Sequence, residues 1–288
     1  MNTPTFQDAY KALAAAKAAA DKATKLGVAT GDAGVINLAK ENLGKATAAF
    51  CEVLERDTIQ IEGKGRLLRT EYSLLQKLAT DNKISLEMII DGATVKNGRI
   101  VKASWDDLEL KDISALAGLT SLTKLWLTNN QIKNISALKG LTALTELYLS
   151  GNQITDISAL KGLTALTNLW LIDNQITDIS ALKDLVALTV LGLSGNQITD
   201  ISALAGLTAL TWLDLSGNQI TDISTLKGLA ALARLALSYN QITDVSVLAG
   251  LTSLTNLYLN KNPLIKNVTL ETLLASFRSR GCMVEVDQ

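Results

Sequence analysis

The side chains whose types and spacing could perform chemistry are few, and the acidic ones recur at a fixed interval. Carboxylates bind hard cations, but an aspartate also caps the N-terminus of a short helix. A serine stands two residues after each of these aspartates, which favours capping over a row of cation sites. The aspartates follow one another at steps of 22 residues: Asp156, Asp178, Asp200, Asp222 and Asp244.

The groups that most enzymes need are missing from the sequence. It has no histidine, which removes the histidine-dependent triads and the commonest metal ligand. Cys51 and Cys282 lie at opposite ends of the chain, so we expect two free thiols and no zinc site. The Gly-Lys of residues 62–66 lacks the other residues of a phosphate loop and is interpreted as a surface turn. The sequence therefore predicts a protein without catalytic residues, metal or cofactor.

The remaining side chains of chemical interest are aromatic. Aromatic residues are only 4% of the chain, yet three of its four tryptophans, Trp126, Trp170 and Trp212, occupy strand positions that vary between the repeats. Exposed Trp and Tyr are favoured anchors at protein interfaces. The alternative is that these large rings merely shield strand backbone.

The 22-residue interval also predicts the secondary-structure elements that position these side chains. Asparagine occurs at 130 and then at every 22nd residue to 262, without insertion. In each unit two leucines bracket one residue, as in Leu147 and Leu149, which indicates a short strand with both leucines facing inward. A fixed period of this length predicts a solenoid with a parallel sheet. We expect each Asn amide to bond backbone groups of its turn and of the adjacent coil.

The repeat pattern L-x-x-L-x-L-x-x-N-x-I-x-D-I-S-x-L closely resembles the 22-residue leucine-rich repeat of bacterial internalins and of a eukaryotic phosphatase regulator. The resemblance covers about residues 100–286. It implies an α/β solenoid, curved as a horseshoe with a parallel concave sheet, that binds other proteins. It carries no catalytic residues to transfer to this chain.

A degenerate first unit precedes the seven regular ones. Leu108 takes its Asn place, and Trp105 takes the place of an inward leucine. Trp105 is therefore predicted to fill the core near the end of the solenoid. The domain prediction is an α-helical hairpin over 1–57, a helix and β-hairpin adaptor over 58–99, repeats over 100–262 and a helix–strand cap over 263–288.

The residues that differ between repeats are predicted to form the binding surface, because they flank the inward leucines and point to the concave face. In particular, the space above Gly192, beside Trp170, Trp212 and Ile172, is predicted to be a shallow apolar hollow for one anchoring side chain of a partner. The candidate partner-binding residues are Lys124, Trp126, Glu146, Tyr148, Trp170, Ile172, Gly192, Trp212, Asp214, Arg234 and Tyr258.

Two classes of partner remain open. The first is another protein, and the alternative is a glycan or peptide that uses Trp126, Tyr148 and Trp170 as a stacking ladder. Nucleic acid is not expected, because the face carries both charge signs and the chain has 27 basic and 28 acidic residues. No run of about eighteen apolar residues is present, so no membrane insertion is expected.

The N-terminal segment has a pattern of its own. Leu13, Ala16 and Ala20 follow a heptad, as do Ile36, Ala39 and Leu43 in a second run, and the residues between, Gly27 to Gly34, are predicted to be a loop. The hairpin is either a stabilising cap or a module for self-association or for attachment to a partner helix. The Ala-rich start is interrupted by charges and lacks the core of a signal peptide. We therefore expect a cytoplasmic protein, or one exported without an N-terminal signal peptide.

Overall fold

A computed structural model describes residues 6–30, 33–266 and 268–287, and the side chains of residues 8–25 and of all described residues from 33 onward. The contacts between residues divide the chain into two compact units. The first extends to Ser73 and includes Val95–Arg99, and the second comprises Leu74–Thr94 and the residues from Ile100 onward. The predicted boundaries at residues 57 and 99 stay predictions.

The first unit contains two long helices and a β-hairpin. α1 (Phe6–Thr30) packs against α2 (Ala33–Asp57), and β1 (Thr58–Ile61) pairs antiparallel with β2 (Gly65–Leu68). A positive φ at Gly63 allows the turn between these strands. The helical hairpin is confirmed.

The predicted loop between the two helices is wrong for most of its length. α1 continues to Thr30 and α2 already begins at Ala33, while residues 31 and 32 lie outside the described part of the chain. Phe6 also follows the heptad of the first run, but its side chain is not among the described side chains. Each residue added to an existing helix gains a hydrogen bond, and this gain outweighs the cost of about 1 kcal/mol for a glycine.

Two helices and a hairpin precede the repeats. The predicted helical stretch is split into α3 (Arg69–Asn82) and α4 (Leu86–Gly92), because Lys83 has a left-handed φ and Ser85 caps α4. The β-hairpin predicted for the adaptor is formed by β3 (Ala93–Lys96) and β4 (Arg99–Ser104), and Asn97 and Gly98 between them both have positive φ. Trp105 is fully buried and donates from Nε1 to the Ile89 carbonyl at 2.8 Å, which confirms its core position.

The second unit is a solenoid built on one sheet. Ten of the described strands form this sheet, in the order β12 to β3, and β4 to β12 pair in parallel with their neighbours along the chain. The repeat strands are β5 (Lys124–Trp126), β6 (Glu146–Tyr148), β7 (Asn168–Trp170), β8 (Val190–Gly192), β9 (Trp212–Asp214), β10 (Arg234–Ala236) and β11 (Asn256–Tyr258).

Each repeat strand from β5 to β10 is followed by a turn and a short 3₁₀ helix, such as Ser158–Leu160. The N-cap residue of this helix is Ile157, which makes no side-chain cap bond, and the aspartate predicted to cap it stands one residue earlier. Asp156 Oδ1 accepts the Ser158 backbone N–H, the first of the helix, at 2.7 Å. The inward leucines are fully buried. The Asn prediction is confirmed: the Asn152 amide donates to the carbonyls of Leu127 and Leu149, both at 2.9 Å.

The C-terminal end of the solenoid is closed by α5 (Val268–Ser279) and β12 (Met283–Glu285), as predicted. Leu270, Leu274 and Phe277 of α5 are buried.

Cys282 is a buried free thiol and Cys51 an exposed one. None of the described helices has the length and apolar content needed to cross a bilayer. Within the described part of the chain, no group of three or more Cys, Asp or Glu residues is placed to hold a metal ion.

Candidate partner-binding face of the sheet

The strand register sorts the candidate residues into columns on one face of the sheet, hereafter the sheet face. The first column runs through the residue that opens each strand, from Lys124 on β5 to Asn256 on β11. The second runs through the residue that closes each strand, from Trp126 to Tyr258. Between them lie the buried leucines that point into the core. Every candidate residue except Ile172 belongs to these two columns, and Ile172 follows β7 by two residues.

Four aromatic rings, hereafter the aromatic cluster, form one continuous stack on the sheet face. The Trp126 and Tyr148 rings stack with centroids 5.4 Å apart and an angle of 10° between their planes. Tyr148 and Trp170 stack at 6.2 Å, also at 10°, and Trp170 meets Trp212 at 4.8 Å and 38°. The cluster thus reaches from β5 to β9, or about 19 Å at the usual spacing of neighbouring strands. All four side chains are half-buried.

The hollow predicted above Gly192 is filled by the protein itself. Trp170 lies on β7 and Trp212 on β9, and their rings meet across β8 because Gly192 has no side chain to keep them apart. A Cβ placed on Gly192 would lie 3.0 Å from Trp170 Cε3 and 3.1 Å from Ile172 Cγ1. Gly192 is buried. The prediction of an open pocket is therefore wrong, and a larger residue at position 192 would displace Trp170.

The indole nitrogen of Trp170 is buried without a hydrogen-bond partner among the described residues. Leaving a buried donor unpaired costs about 1–3 kcal/mol. The ring contacts with Tyr148 and Trp212 must therefore outweigh this cost.

Charged groups flank the aromatic cluster on β5 and β6. The Lys124 ammonium forms an ion pair with Glu146 Oε1, and the Tyr148 hydroxyl donates to Glu146 Oε2 at 3.4 Å. Burial and then the neighbouring Glu146 carboxylate raise the pKa of Tyr148 above its usual value. Tyr148 thus stays neutral at physiological pH, and this end of the cluster presents a paired cation and anion.

The other candidate residues form a separate group on β9 to β11. The Arg234 guanidinium lies over the Tyr258 ring, 5.2 Å from its centroid. Asp214 Oδ1 accepts the backbone N–H of Ser216 at 2.9 Å. Ala236, between Asp214 and Tyr258 in the second column, separates these side chains. The structure therefore places all the candidates on one face but brings only part of them into direct contact.

The sheet face extends one strand further than the candidate set. Met283 pairs in register with Asn256, and Glu285 pairs with Tyr258, so β12 continues both columns. Met283 is 43% exposed. The alternating residues of Met-Val-Glu could have predicted that β12 continues the sheet face. Because β12 lies outside the 22-residue period, the sequence predicted only a cap strand there.

Known proteins resemble both the repeat and the fold. The family model described as Leucine Rich repeats (2 copies) matches residues 142–184 and 186–228, and the model Leucine rich repeat matches residues 110–154 and 221–264. No curated protein sequence matches the chain.

Solved structures of leucine-rich repeat proteins are similar to the chain, and three of them illustrate the likeness. An internalin (inlF) from Listeria monocytogenes is 29% identical with a TM-score of 0.62, over 75% of this chain and 62% of that one. An internalin C2 (inlC2) from the same species is 33% identical with a TM-score of 0.61, over 75% of this chain and 92% of that one. A leucine-rich repeat protein from Leptospira interrogans is 29% identical with a TM-score of 0.54, over 61% of this chain and 45% of that one. The chain therefore spans less than two thirds of the first and third structures.

The parallel sheet, the buried asparagines and these matches define a leucine-rich repeat solenoid, a class of fold that supports an interaction scaffold. Within that class, the chain belongs to the internalin-like leucine-rich repeat proteins of bacteria.

Proposed function

We propose that this protein binds another protein on the sheet face, with the aromatic cluster as the anchor. The supporting observation is the continuous stack of Trp126, Tyr148, Trp170 and Trp212 across five neighbouring strands. Half-buried aromatic rings on a rigid sheet supply large contact area at a small cost in conformational entropy, and such residues dominate binding energies.

The orientation of the rings favours a protein over a sugar chain. Within the stack the rings cover each other's faces, so the edges of Tyr148 and Trp170 point away from the sheet. A ladder of sugar-binding aromatics needs free ring faces. Aliphatic and aromatic side chains of a protein partner can pack against ring edges, since edge-to-face contacts are favourable.

One observation supports a second candidate, a glycan with a single stacking subsite. Trp126 ends the stack, and the face of its ring opposite Tyr148 lies on the side of β4. The residue in register there is Ser104, which is small and exposed. A sugar ring could stack on this one face, with Ser104 beneath it, but not along the whole cluster.

The proposed function is tested by measuring binding with variants of the cluster. The purified chain serves as bait to identify a partner, and the affinity of that purified partner is then measured by calorimetry. Trp126→Ala and Trp212→Ala remove the two ends of the cluster without opening the core, and each is expected to cost about 2 kcal/mol or more of binding free energy. A glycan array probed with the same proteins tests the second candidate.

Val186→Ala is the matched control, since Val186 is an apolar side chain outside the sheet face and 58% exposed. It is expected to leave the affinity unchanged. Binding that survives both tryptophan substitutions and fails with variants outside the sheet face would contradict the proposal. Glycan binding lost only with Trp126→Ala would favour the second candidate.

A further inference from the structure

The helical hairpin of the first unit leaves large apolar side chains incompletely covered. Leu13 of α1 and Ile36 and Leu43 of α2 are only half-buried. Leu38 is 60% exposed. Among the described side chains from residue 10 to residue 52, Ala20 alone is buried. The hairpin thus has an apolar face without a covering layer.

The packing of the hairpin is concentrated at one end, here called the base, where α1 begins and α2 ends. Ala9, Val53 and Leu68 form a small core there, with Phe50 and Leu54 packed against it. The opposite end, here called the tip, has no such cluster among its described residues. Two helices alone bury too little apolar area to offset the entropy of ordering their residues, and small helical folds add helices to gain it. A further helical layer over the hairpin would bury the half-exposed leucines.

The charges of the hairpin are distributed unequally between its ends. Two ion pairs, Lys45–Glu41 and Arg56–Asp57, form within α2, so the charges of these four residues cancel. The exposed charges outside these pairs give a net positive charge toward the tip and a net negative charge toward the base, with Lys17 between the two ends. Toward the tip lie Lys22, Lys25 and Lys40 against Asp21, and toward the base lie Asp8, Glu52 and Glu55 against Lys11.

We propose that the layer covering the hairpin is the hairpin of a second copy of this chain, packed with its tip against the base of the first. This arrangement forms a four-helix bundle with two-fold symmetry, the commonest symmetry of homo-oligomers. It places the tip lysines of each copy beside the base glutamates of the other. A tip-to-tip arrangement would instead bring like charges together. The proposal concerns a surface separate from the sheet face and does not depend on the function proposed above.

The test uses the full chain and measures the dimer dissociation constant by sedimentation equilibrium at low salt. Lys22→Glu with Lys25→Glu reverses the tip, and Glu52→Lys with Glu55→Lys reverses the base. Each pair of substitutions is expected to weaken the dimer about tenfold, because several solvent-exposed ion pairs are replaced by repulsions. The chain carrying all four substitutions is expected to recover the original dissociation constant, since the charges are then exchanged between the two ends.

Lys183→Glu with Lys227→Glu is the matched control, because both lysines are exposed in the second unit and the change in net charge is the same as for the tip variant. This control is expected to dimerise as the unchanged chain does. Circular dichroism of every variant checks that helix content is preserved. A chain that sediments as a monomer at every attainable concentration would overturn the proposal, as would a fourfold variant that fails to recover dimerisation.

Discussion

Asn174 shows how one buried side chain joins neighbouring coils of the solenoid. Its Nδ2 donates to the carbonyl of Leu149 in the preceding coil at 3.0 Å, and its Oδ1 accepts the backbone N–H of Ile154 at 3.0 Å. Only 8% of the residue is exposed. The amide therefore pairs backbone groups that no strand or helix satisfies.

We expect Asn174→Ala to lower the free energy of unfolding by at least about 2 kcal/mol, because a buried N–H and buried carbonyls lose their partner. Urea denaturation followed by circular dichroism measures the change. Gln175→Ala is the control, since Gln175 is the exposed neighbour on the same turn, and it should alter stability by less than about 0.5 kcal/mol. Equal effects of the two substitutions would show that the amide bonds do not stabilise the turn.

The unpaired indole of Trp170 allows a second test at the same scale. Trp170→Phe keeps a ring between Tyr148 and Trp212 and removes the buried N–H without an acceptor. The loss of ring area and the relief of the unpaired donor act in opposite directions, so we expect a net change within about 1 kcal/mol. Trp170→Ala removes the ring and should cost about 2–3 kcal/mol. Thermal unfolding of both variants measures the two changes in stability. A phenylalanine variant as unstable as the alanine variant would show that the unpaired donor does not offset the loss of ring area.

The hydrogen bonds of two aspartates beside the 3₁₀ helices predict that the stability of the chain depends on pH. Asp156 accepts the Ser158 backbone N–H at 2.7 Å and the Ser158 hydroxyl at 3.0 Å, and these bonds hold the pKa of Asp156 below its ordinary value of 3.8. Asp222 has the same bonds with Ser224, and its pKa is lowered for the same reason. A carboxylate whose pKa is lower in the folded state stabilises the fold above the unfolded value, and that contribution is lost as the pH falls through the folded value.

We therefore expect the urea midpoint of the chain to fall when the pH is lowered from about 5 to about 3. In a chain with Asp156→Asn and Asp222→Asn, the amide oxygens can still accept the N–H bonds but do not titrate. The midpoint of this variant should depend less steeply on pH over the same range. A slope equal to that of the unchanged chain would assign the acid sensitivity to other carboxylates.

At the scale of the whole molecule, the second unit has its own continuous core. Its leucines pack coil against coil, and β12 with α5 covers the last coil. Repeat folds draw their stability from such nearest-neighbour contacts. We expect a chain lacking residues 1–57 to keep its repeat unit folded, with one cooperative thermal transition followed by circular dichroism. A broad, non-cooperative transition in the shortened chain would instead make the hairpin an integral part of that core.

The sequence alone determined the architecture of the repeats. A strict step of 22 residues, with leucines on either side of one variable residue and an asparagine at the turn, allows one register in which every inward position is apolar and every turn amide is paired. The columns of the sheet face followed from that register. Trp105 could be assigned to the core for the same reason, because it lies 22 residues before Leu127.

Only the tertiary structure decided what the sheet face presents. The meeting of Trp170 with Trp212 joins strands that are not neighbours, and it depends on rotamers and on the missing side chain of Gly192, which residue spacing does not specify. For this reason, the space predicted to be an open hollow is occupied by the Trp170 and Trp212 rings. The ends of α1 and α2 likewise did not follow the local preference of the glycines at positions 27 and 34, because the hydrogen bonds gained by continuing each helix outweigh the cost of a glycine. Periodicity fixes which residues share a face, but the contacts between their side chains arise only when the strands are placed side by side.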